Sequence, residues 1–295
     1  HNNMGYHPSG TCGGIGAAVS IAVASKYTKE EIKQAFTNAA LSSSGSLKVL
    51  EDGSELKPYN IANAALYGLI AAYTAKVGFN IPLDVLNGNN GYIQMMAGTY
   101  NRNILFGINH NSLWINNVYF KKYASCRHCH TGIDASLKIR EKQDFNYNEI
   151  KRVRIFTYDY IIGKHDHHEI LGIPSAKMSL PYSVAVALIY GKGSVNAYTS
   201  KFIKDEKVNQ LINKIQVIAN DELSDLVPEK RPSIVEVEMS SGNCLIERVD
   251  YPKGEPENPL TDKELYDKFK SLATFSGKSN EDANRIIDCV MNIED

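Results

Sequence analysis

The spacing of apolar residues changes along the chain, and this change predicts segments of different fold class. Residues 1–112 show helical spacing, most clearly in the alanine-rich stretch 61–77. Strand patterns join the helices between residues 113 and 252, where apolar and charged side chains alternate from 150 to 161. Residues 253–295 are helical again. The sequence therefore predicts a mainly α protein with a separate α+β domain between its helical ends.

Capping signals predict where several helices begin. Thr28 with Glu31, and Thr261 with Glu264, match the capping box, in which each side chain bonds the other residue's backbone amide. Asn280 is expected to cap the last helix.

Turn signals separate the predicted elements of the α+β region. Residues 233–239 and 244–250 flank a Ser-Ser-Gly-Asn turn and predict a β-hairpin. Residues 181–190 predict an apolar helix, and residues 206–218 place apolar side chains, including Ile215, at helical spacing.

Three glycines near the start of the chain favour close helix packing. Gly13, Gly14 and Gly16 lie in the Gly/Ala/Ser-rich stretch 11–26, which is typical of a helix packed tightly against others. They lack the spacing of a dinucleotide-binding fingerprint, and no predicted strand precedes them. We therefore interpret them as packing glycines.

Composition excludes several classes of function. The 295 residues include 32 basic and 33 acidic side chains, a net charge of −1, which gives no sign of a nucleic-acid or membrane partner. Five irregularly spaced cysteines do not match a disulfide framework, so we expect a reducing, cytoplasmic location. No apolar stretch is long enough to span a bilayer.

A dense group of cationic and titratable residues lies between residues 120 and 135. Lys121, Lys122 and Arg127 supply positive charge, and the planar guanidinium group can bind a carboxylate through two hydrogen bonds. His128 and His130 can transfer protons near neutral pH. A predicted helix follows directly, so free backbone amides at its start would also attract an anion. This pattern indicates an anion site, and a solvated basic loop is the alternative.

Structural zinc is a second alternative for the same segment. Cys126 and Cys129 form a C-x-x-C, with His128 and His130 beside them, but no second C-x-x-C exists. Further ligands would have to come from Cys244, Cys289 or the histidine-rich run 165–168. We expect that run to be a solvated loop, and we expect no metal.

Four stretches, in this order and spacing, resemble the MmgE/PrpD family of enzymes. These are GYHPSGTCG at 5–13, KPYN at 57–60 with Ala64, Ala65 and Gly68, the segment 121–135, and KMSLPY at 177–182. The family includes 2-methylcitrate dehydratase, cis-aconitate decarboxylase and iminodisuccinate epimerase.

The resemblance implies a two-domain subunit. Residues 1–112 would belong to a large helical domain, and residues 113–252 would form an α+β lid inserted into it. Residues 253–295 would return to the helical domain, with the active site in the cleft. The resemblance also implies a homodimer and no cofactor.

The resemblance also implies roles for particular residues. His7 resembles the family's active-site histidine, and Lys57 and Lys121 resemble its substrate-contacting lysines. Tyr182 matches the tyrosine of the lid motif, with core packing as the alternative. Substrate-binding positions would be Lys122, Cys126, Arg127 and His130.

The chain departs from the family pattern at several positions. Lys122 and Ala124 replace common prolines, Ala62 replaces a common glycine, and Asn60 stands where histidine is frequent. A further helical segment with a second active-site histidine precedes His7 in the family. Its absence here implies either a fragment of a longer product or a shortened relative.

These features together predict a cofactor-independent hydro-lyase for a citrate-like polycarboxylate such as 2-methylcitrate, an acid of propionate catabolism. The reaction would begin with proton abstraction beside a carboxylate, and fixed cations would stabilise the charge that develops. An epimerase or decarboxylase acting on iminodisuccinate or cis-aconitate is the alternative, as is a catalytically inactive anion-binding relative.

Overall fold

The computed structural model describes residues 1, 4–50, 56–101, 103, 105, 114–143 and 145–294. The chain forms two compact units, His1–Asn111 and Ser112–Asp295. The predicted domain boundary, between residues 112 and 113, lies outside the described residues. The predicted lid role of residues 113–252 and the predicted return of residues 253–295 to the helical domain stay predictions.

The first unit is mainly helical in its described part. Its helices are α1 (Pro8–Ala24), α2 (Lys29–Ser42), α3 (Lys57–Ala75) and α4 (Tyr92–Ala97). Helices α1, α2 and α3 pack against one another in pairs. Their shared core consists of alanines, namely Ala18, Ala22, Ala35, Ala39, Ala71 and Ala75.

Small residues let α1 and α3 approach closely. A Cβ atom at Gly14 would lie 3.3 Å from the carbonyl oxygen of Ala64, and one at Gly13 would lie 3.5 Å from the Ala64 Cβ. The packing interpretation is therefore confirmed for Gly14, whereas a Cβ at the exposed Gly13 would make only ordinary van der Waals contact. It is wrong for Gly16, where a Cβ would meet nothing within 4 Å.

The second unit mixes helices with one sheet. Its helices are α5 (His130–Arg140), α6 (Ile173–Met178), α7 (Leu180–Tyr190), α8 (Ser200–Ile203), α9 (Glu206–Ile212), α10 (Asp221–Ser224), α11 (Asp262–Phe275) and α12 (Asn280–Met291). Its strands are β1 (Ile150–Thr157), β2 (Ile215–Ala219), β3 (Ser233–Met239) and β4 (Cys244–Val249).

The sheet has the strand order β2-β1-β3-β4. Strand β2 runs parallel to β1, with Val153 opposite Ile215, whereas β3 is antiparallel to both β1 and β4. Helix α5 packs on β3, β4 and α7, and α7 packs in turn on α9 and β2. Helix α7 is buried from Leu180 to Ile189, and Gly191, with φ of 63°, ends it. This core supports the segment that carries the cationic cluster.

Most local predictions agree with the structure. Both capping boxes and the β3–β4 hairpin are confirmed. The predicted helix through residues 206–218 is wrong in its second half, because Ile215 begins β2 and pairs with β1. The predicted cap at Asn280 is also wrong, since the Ser279 hydroxyl accepts the bond from the Asp282 amide at 3.0 Å.

No helix within the described residues could cross a membrane. Each helix is too short or too polar to cross a bilayer.

Candidate functional site

His7 is held in place at the start of α1 by backbone and side-chain contacts. Its backbone amide donates to the carbonyl of Gly45 at 3.0 Å, and its ring Nδ1 lies 3.2 Å from the Asn60 amide nitrogen. Asn60 is itself buried on the first turn of α3, and its amide also donates to the Ser46 carbonyl at 3.4 Å. The loop before α3 and the helix therefore fix the orientation of the His7 ring together.

Two glycines make room for Asn60. A Cβ atom at Gly10 would lie 3.0 Å from the Asn60 side-chain oxygen, and one at Gly45, whose φ is +152°, would lie 3.2 Å from the same atom. Larger residues at either position would push against the side chain that orients His7. The glycines and Asn60 thus form the support of the histidine.

His7 is neutral at pH 7. Burial lowers its pKa below the usual 6.5, and the nearby Lys57 ammonium lowers it further. The Asn60 amide donates to Nδ1, so in the neutral ring Nε2 carries the hydrogen. The imidazole therefore offers an N–H donor at Nε2 beside a half-buried lysine, which suits it to bind a carboxylate or an enediolate oxygen.

The cationic segment of the second unit is fixed by backbone hydrogen bonds at three points. The amide of Phe120 donates to Gly254 at 2.9 Å, that of Ala124 to Gly193 at 3.0 Å, and that of Cys126 to Lys177 at 2.7 Å. The proline-containing loop at residues 251–258 is therefore attached to the cationic segment within this unit.

Gly254 is required by that attachment. Its φ is +101°, and a Cβ atom there would collide with the carbonyl oxygen of Phe120. We expect Gly254→Ala to lower the free energy of unfolding by about 2 to 4 kcal/mol, combining backbone strain with the steric clash. Urea denaturation measures this loss.

Gly242 provides the matched control for this substitution. Its φ is +88°, but a Cβ atom there would meet nothing within 4 Å. Gly242→Ala should therefore show the cost of positive φ alone, about 1 kcal/mol. Equal losses in the two variants would contradict the proposed attachment at Phe120.

Arg127 is buried and already paired inside the second unit. Its guanidinium group forms an ion pair with Glu255, donates a 2.8 Å hydrogen bond to Nδ1 of His130, and lies 4.4 Å from the centre of the Tyr119 ring. The sequence predicts that this group binds a substrate carboxylate. An incoming carboxylate would have to share or displace Glu255.

His130 lies in the first turn of α5 and is fully buried. Burial is the main cause that holds its pKa well below 6.5, and the Arg127 charge acts in the same direction. Since Nδ1 accepts from Arg127, Nε2 carries the hydrogen of the neutral ring. Nε2 lies near the Ser125 backbone, without a hydrogen bond of good geometry among the described residues.

The two lysines of the segment differ in their surroundings. Lys121 is exposed, whereas Lys122 is half-buried and pairs with Glu264 at 3.3 Å. Burial of Glu264 would raise its pKa, but bonds from the Thr261 amide, Lys253 and Lys122 outweigh this and lower it to about 2. Glu264 also pairs with Lys253 at 3.2 Å, so one carboxylate is shared by two lysines.

Tyr182 lies in the core of the second unit. The side chain is fully buried in α7, and its hydroxyl donates to the Ala197 carbonyl at 2.8 Å. Burial is the main cause that raises the pKa of Tyr182 well above 10, and the charges of Tyr198 and Asp205 raise it further. These contacts match the core-packing alternative, and we assign Tyr182 no chemical step.

Cys126 lies beside two histidines, His128 and His165. Its sulfur is 3.8 Å from Nε2 of His165, and one ligand atom from each of Cys126, His128 and His165 lies within 4.8 Å of the others. His165 is only 3% exposed, so the prediction of a solvated loop is wrong at this residue. Cys129 is fully buried with its sulfur 4.0 Å from the Met178 carbonyl oxygen.

The structure therefore divides the predicted site residues between its two units. His7 and Lys57 lie in the first, whereas the second brings Arg127, His130 and Cys126 together on one segment. Sequence reasoning missed Asn60 and Glu255 as positioning residues. Asn60 carried a signal in the sequence, since it stands where histidine is frequent in the family, whereas Glu255 carried none.

Comparison with known families assigns both units to one family. Residues 1–104 match the MmgE/PrpD N-terminal domain, and residues 123–294 match the MmgE/PrpD C-terminal domain. The chain belongs to the MmgE/PrpD family, as the four sequence stretches predict.

Two curated relatives are both cis-aconitate decarboxylases. The human protein is 25% identical over 314 aligned positions, which cover 98% of this chain and 60% of the relative. The mouse protein is 23% identical over 287 positions, covering 91% of this chain and 56% of the relative. The chain thus spans somewhat more than half the length of these relatives.

Proposed function

We propose that this protein is a cofactor-independent hydro-lyase for a citrate-like polycarboxylate such as 2-methylcitrate. The observation that carries the proposal is the neutral, buried His7, held by Asn60 beside Lys57. Family membership supports the enzyme class, and the cationic segment around Arg127 supports an anionic substrate.

The chemistry requires stabilisation of negative charge next to a carboxylate. A base takes the proton from the carbon beside a carboxylate, and the electron pair left behind delocalises into an enediolate-like group. The hydroxyl at the neighbouring carbon then leaves as water with the proton that the base took up, which regenerates the base. The Nε2–H of His7 and the ammonium group of Lys57 can donate to the oxygens on which this charge develops, and the family resemblance implies a substrate-contacting role for Lys121. Preorganised donors of this kind lower the barrier because they need no reorganisation during the reaction.

Decarboxylation is the second candidate reaction. The relatives named cis-aconitate decarboxylase favour it, and loss of carbon dioxide also passes through a carbanion beside a carboxylate. Epimerisation of iminodisuccinate would use the same stabilising groups. We keep the hydro-lyase as the main proposal and let product analysis decide among the three.

The test is a product assay of the unaltered protein, repeated with a variant in which Lys121 is replaced. The protein is incubated separately with 2-methylcitrate, cis-aconitate and iminodisuccinate, and products are identified by mass spectrometry and chiral chromatography. We expect dehydration of 2-methylcitrate, and a decrease of roughly 10²- to 10³-fold in kcat for Lys121→Met, the usual cost of losing one charge-stabilising donor.

Lys278→Met serves as the control, because Lys278 is an exposed lysine between α11 and α12. It should leave kcat unchanged. Decarboxylation of cis-aconitate without any dehydration would replace the main proposal by the second candidate. Binding of the acids without turnover would indicate an inactive anion-binding relative.

We also propose that the protein is a cytoplasmic homodimer. Exposed aromatic and aliphatic side chains on α3, including Tyr59, Tyr67, Ile70 and Tyr73, support self-association, since apolar surface of this kind is typical of interfaces. Light scattering after size-exclusion chromatography measures the mass, and a monomer at micromolar concentration would contradict the dimer.

A further inference from the structure

Cys126, His128 and His165 have the spacing of a metal site. The Cys126 sulfur and Nε2 of His165 are 3.8 Å apart. Zinc bonds of about 2.3 Å to sulfur and about 2.0 Å to nitrogen place two such atoms about 3.5 Å apart at a tetrahedral angle. A shift of a few tenths of an ångström would therefore bring both atoms to ligand distance.

The ring of His165 is oriented for coordination by its other nitrogen. Nδ1 lies 2.9 Å from the Met178 carbonyl oxygen and donates its hydrogen to it, so Nε2 presents its lone pair toward Cys126. Metal-binding histidines characteristically donate the second ring nitrogen to a carbonyl or carboxylate in this way. Deep burial of His165 keeps the ring in this orientation.

His128 is supported in a similar way. Its ring stacks on that of His165 with 5.1 Å between centroids and 24° between planes, and its Nδ1 is hydrogen-bonded to the hydroxyl of Tyr158. Its ligand nitrogen lies within 4.8 Å of the other two ligand atoms. Both histidine rings are thus oriented by the surrounding fold.

Two of the neighbouring positive charges are paired with carboxylates of the same chain. Arg127 follows Cys126 directly, and its guanidinium group forms an ion pair with Glu255. Lys122 is paired with Glu264. These pairs reduce the repulsion that a cation would meet at this place.

We propose that Cys126, His128 and His165 bind one zinc ion. One thiolate and two imidazoles favour zinc over magnesium or calcium, which prefer oxygen ligands. Three protein ligands leave the fourth tetrahedral position for water or an anion. Binding replaces the hydrogen of the Cys126 thiol by the metal and releases one proton, so affinity should rise with pH.

The zinc proposal does not rest on the proposed function, which requires no metal, but the two share Cys126. It differs from the zinc alternative considered from sequence, because Cys129 and His130 take no part. Bound zinc would also occupy the Cys126 sulfur, a predicted substrate contact.

The experiment measures metal binding directly, without turnover. Protein stripped with a chelator is titrated with zinc chloride by calorimetry, and separately with cobalt(II) by absorption spectroscopy. We expect one ion per chain at sub-micromolar affinity for zinc, and a thiolate-to-cobalt charge-transfer band in the near ultraviolet. Cys126→Ser should abolish that band, and His165→Gln should weaken zinc binding by at least about 100-fold.

Cys244→Ser is the matched control, since Cys244 is an exposed free cysteine on β4. It should bind zinc and cobalt as the unaltered protein does. Absence of a stoichiometric site, or of the sulfur band in the unaltered protein, would overturn the proposal without requiring any variant to fold. Equal weakening by Cys244→Ser and Cys126→Ser would overturn it as well.

Discussion

Replacing His7 with alanine is expected to lower kcat by roughly 10²- to 10³-fold on whichever polycarboxylate the protein turns over. The physical reason is loss of the Nε2–H donor that Asn60 orients by donating to Nδ1. Steady-state kinetics of the purified variant measures the effect, with unfolding monitored in parallel because His7 is buried.

His7→Gln separates a donor role from a proton-transfer role. The glutamine amide can still donate a hydrogen bond but cannot accept a proton at neutral pH. If His7 acts as a donor, glutamine should retain much more activity than alanine. Equal losses in the two variants, of roughly 10²- to 10⁴-fold, would assign general acid–base catalysis to His7 instead.

The pH profile gives a second measure of the same residue. Burial and the Lys57 charge lower the pKa of His7, so the neutral form persists below pH 6.5. If His7 accepts a proton in the reaction, activity should fall only as the pH drops through that lowered value, whereas a purely donating role, which the protonated ring also fulfils, gives no such fall. Lys57→Met removes the second cause and should move this acidic limb upward, toward 6.5. The pH at which activity falls is independent of any change in maximal rate. If Lys57→Met loses activity at the same pH as the unaltered protein, Lys57 does not lower the pKa of His7.

Replacing Glu255 with glutamine is expected to cost about 3 to 5 kcal/mol of unfolding free energy. The side chains of Arg127 and Glu255 are 8% and 15% exposed, so the substitution leaves a charged guanidinium group in a largely buried place without its carboxylate. Chemical denaturation measures the loss.

Two further variants test the cause of this loss. Asp267→Asn removes the same charge from the exposed pair with Lys263 and should cost less than about 1 kcal/mol. The double replacement Arg127→Met with Glu255→Met should recover most of the stability, since it removes both buried charges. A Glu255→Gln loss no larger than that of Asp267→Asn would contradict a buried ion pair.

The same variants test whether Arg127 can bind a substrate carboxylate. Citrate should raise the melting temperature of Glu255→Gln more than that of the unaltered protein, because the freed guanidinium group gains an anionic partner. The double methionine variant should lack this extra gain. Equal shifts in all three proteins would mean that Arg127 has a structural role only.

Local sequence predicted those parts of the fold that depend on nearby residues. The capping boxes at Thr28 and Thr261 and the hairpin around residues 240–243 need contacts only a few residues apart. Helix α9 shows where such reasoning stops. Apolar spacing continues past Ile212, but pairing with β1 draws Ile215 into a strand, because β-branched residues there gain more from the sheet than from another helical turn.

Sequence by itself determined the family, the helical and mixed regions, and the residue types of the candidate site. Only the tertiary structure decided which of those residues meet. Asn60 contacts His7 across 53 positions, Glu255 pairs with Arg127 across 128, and His165 meets Cys126 across 39. The physical reason is that pKa values, ion pairing and metal coordination depend on distances through space, and the packing of helices and sheet sets those distances.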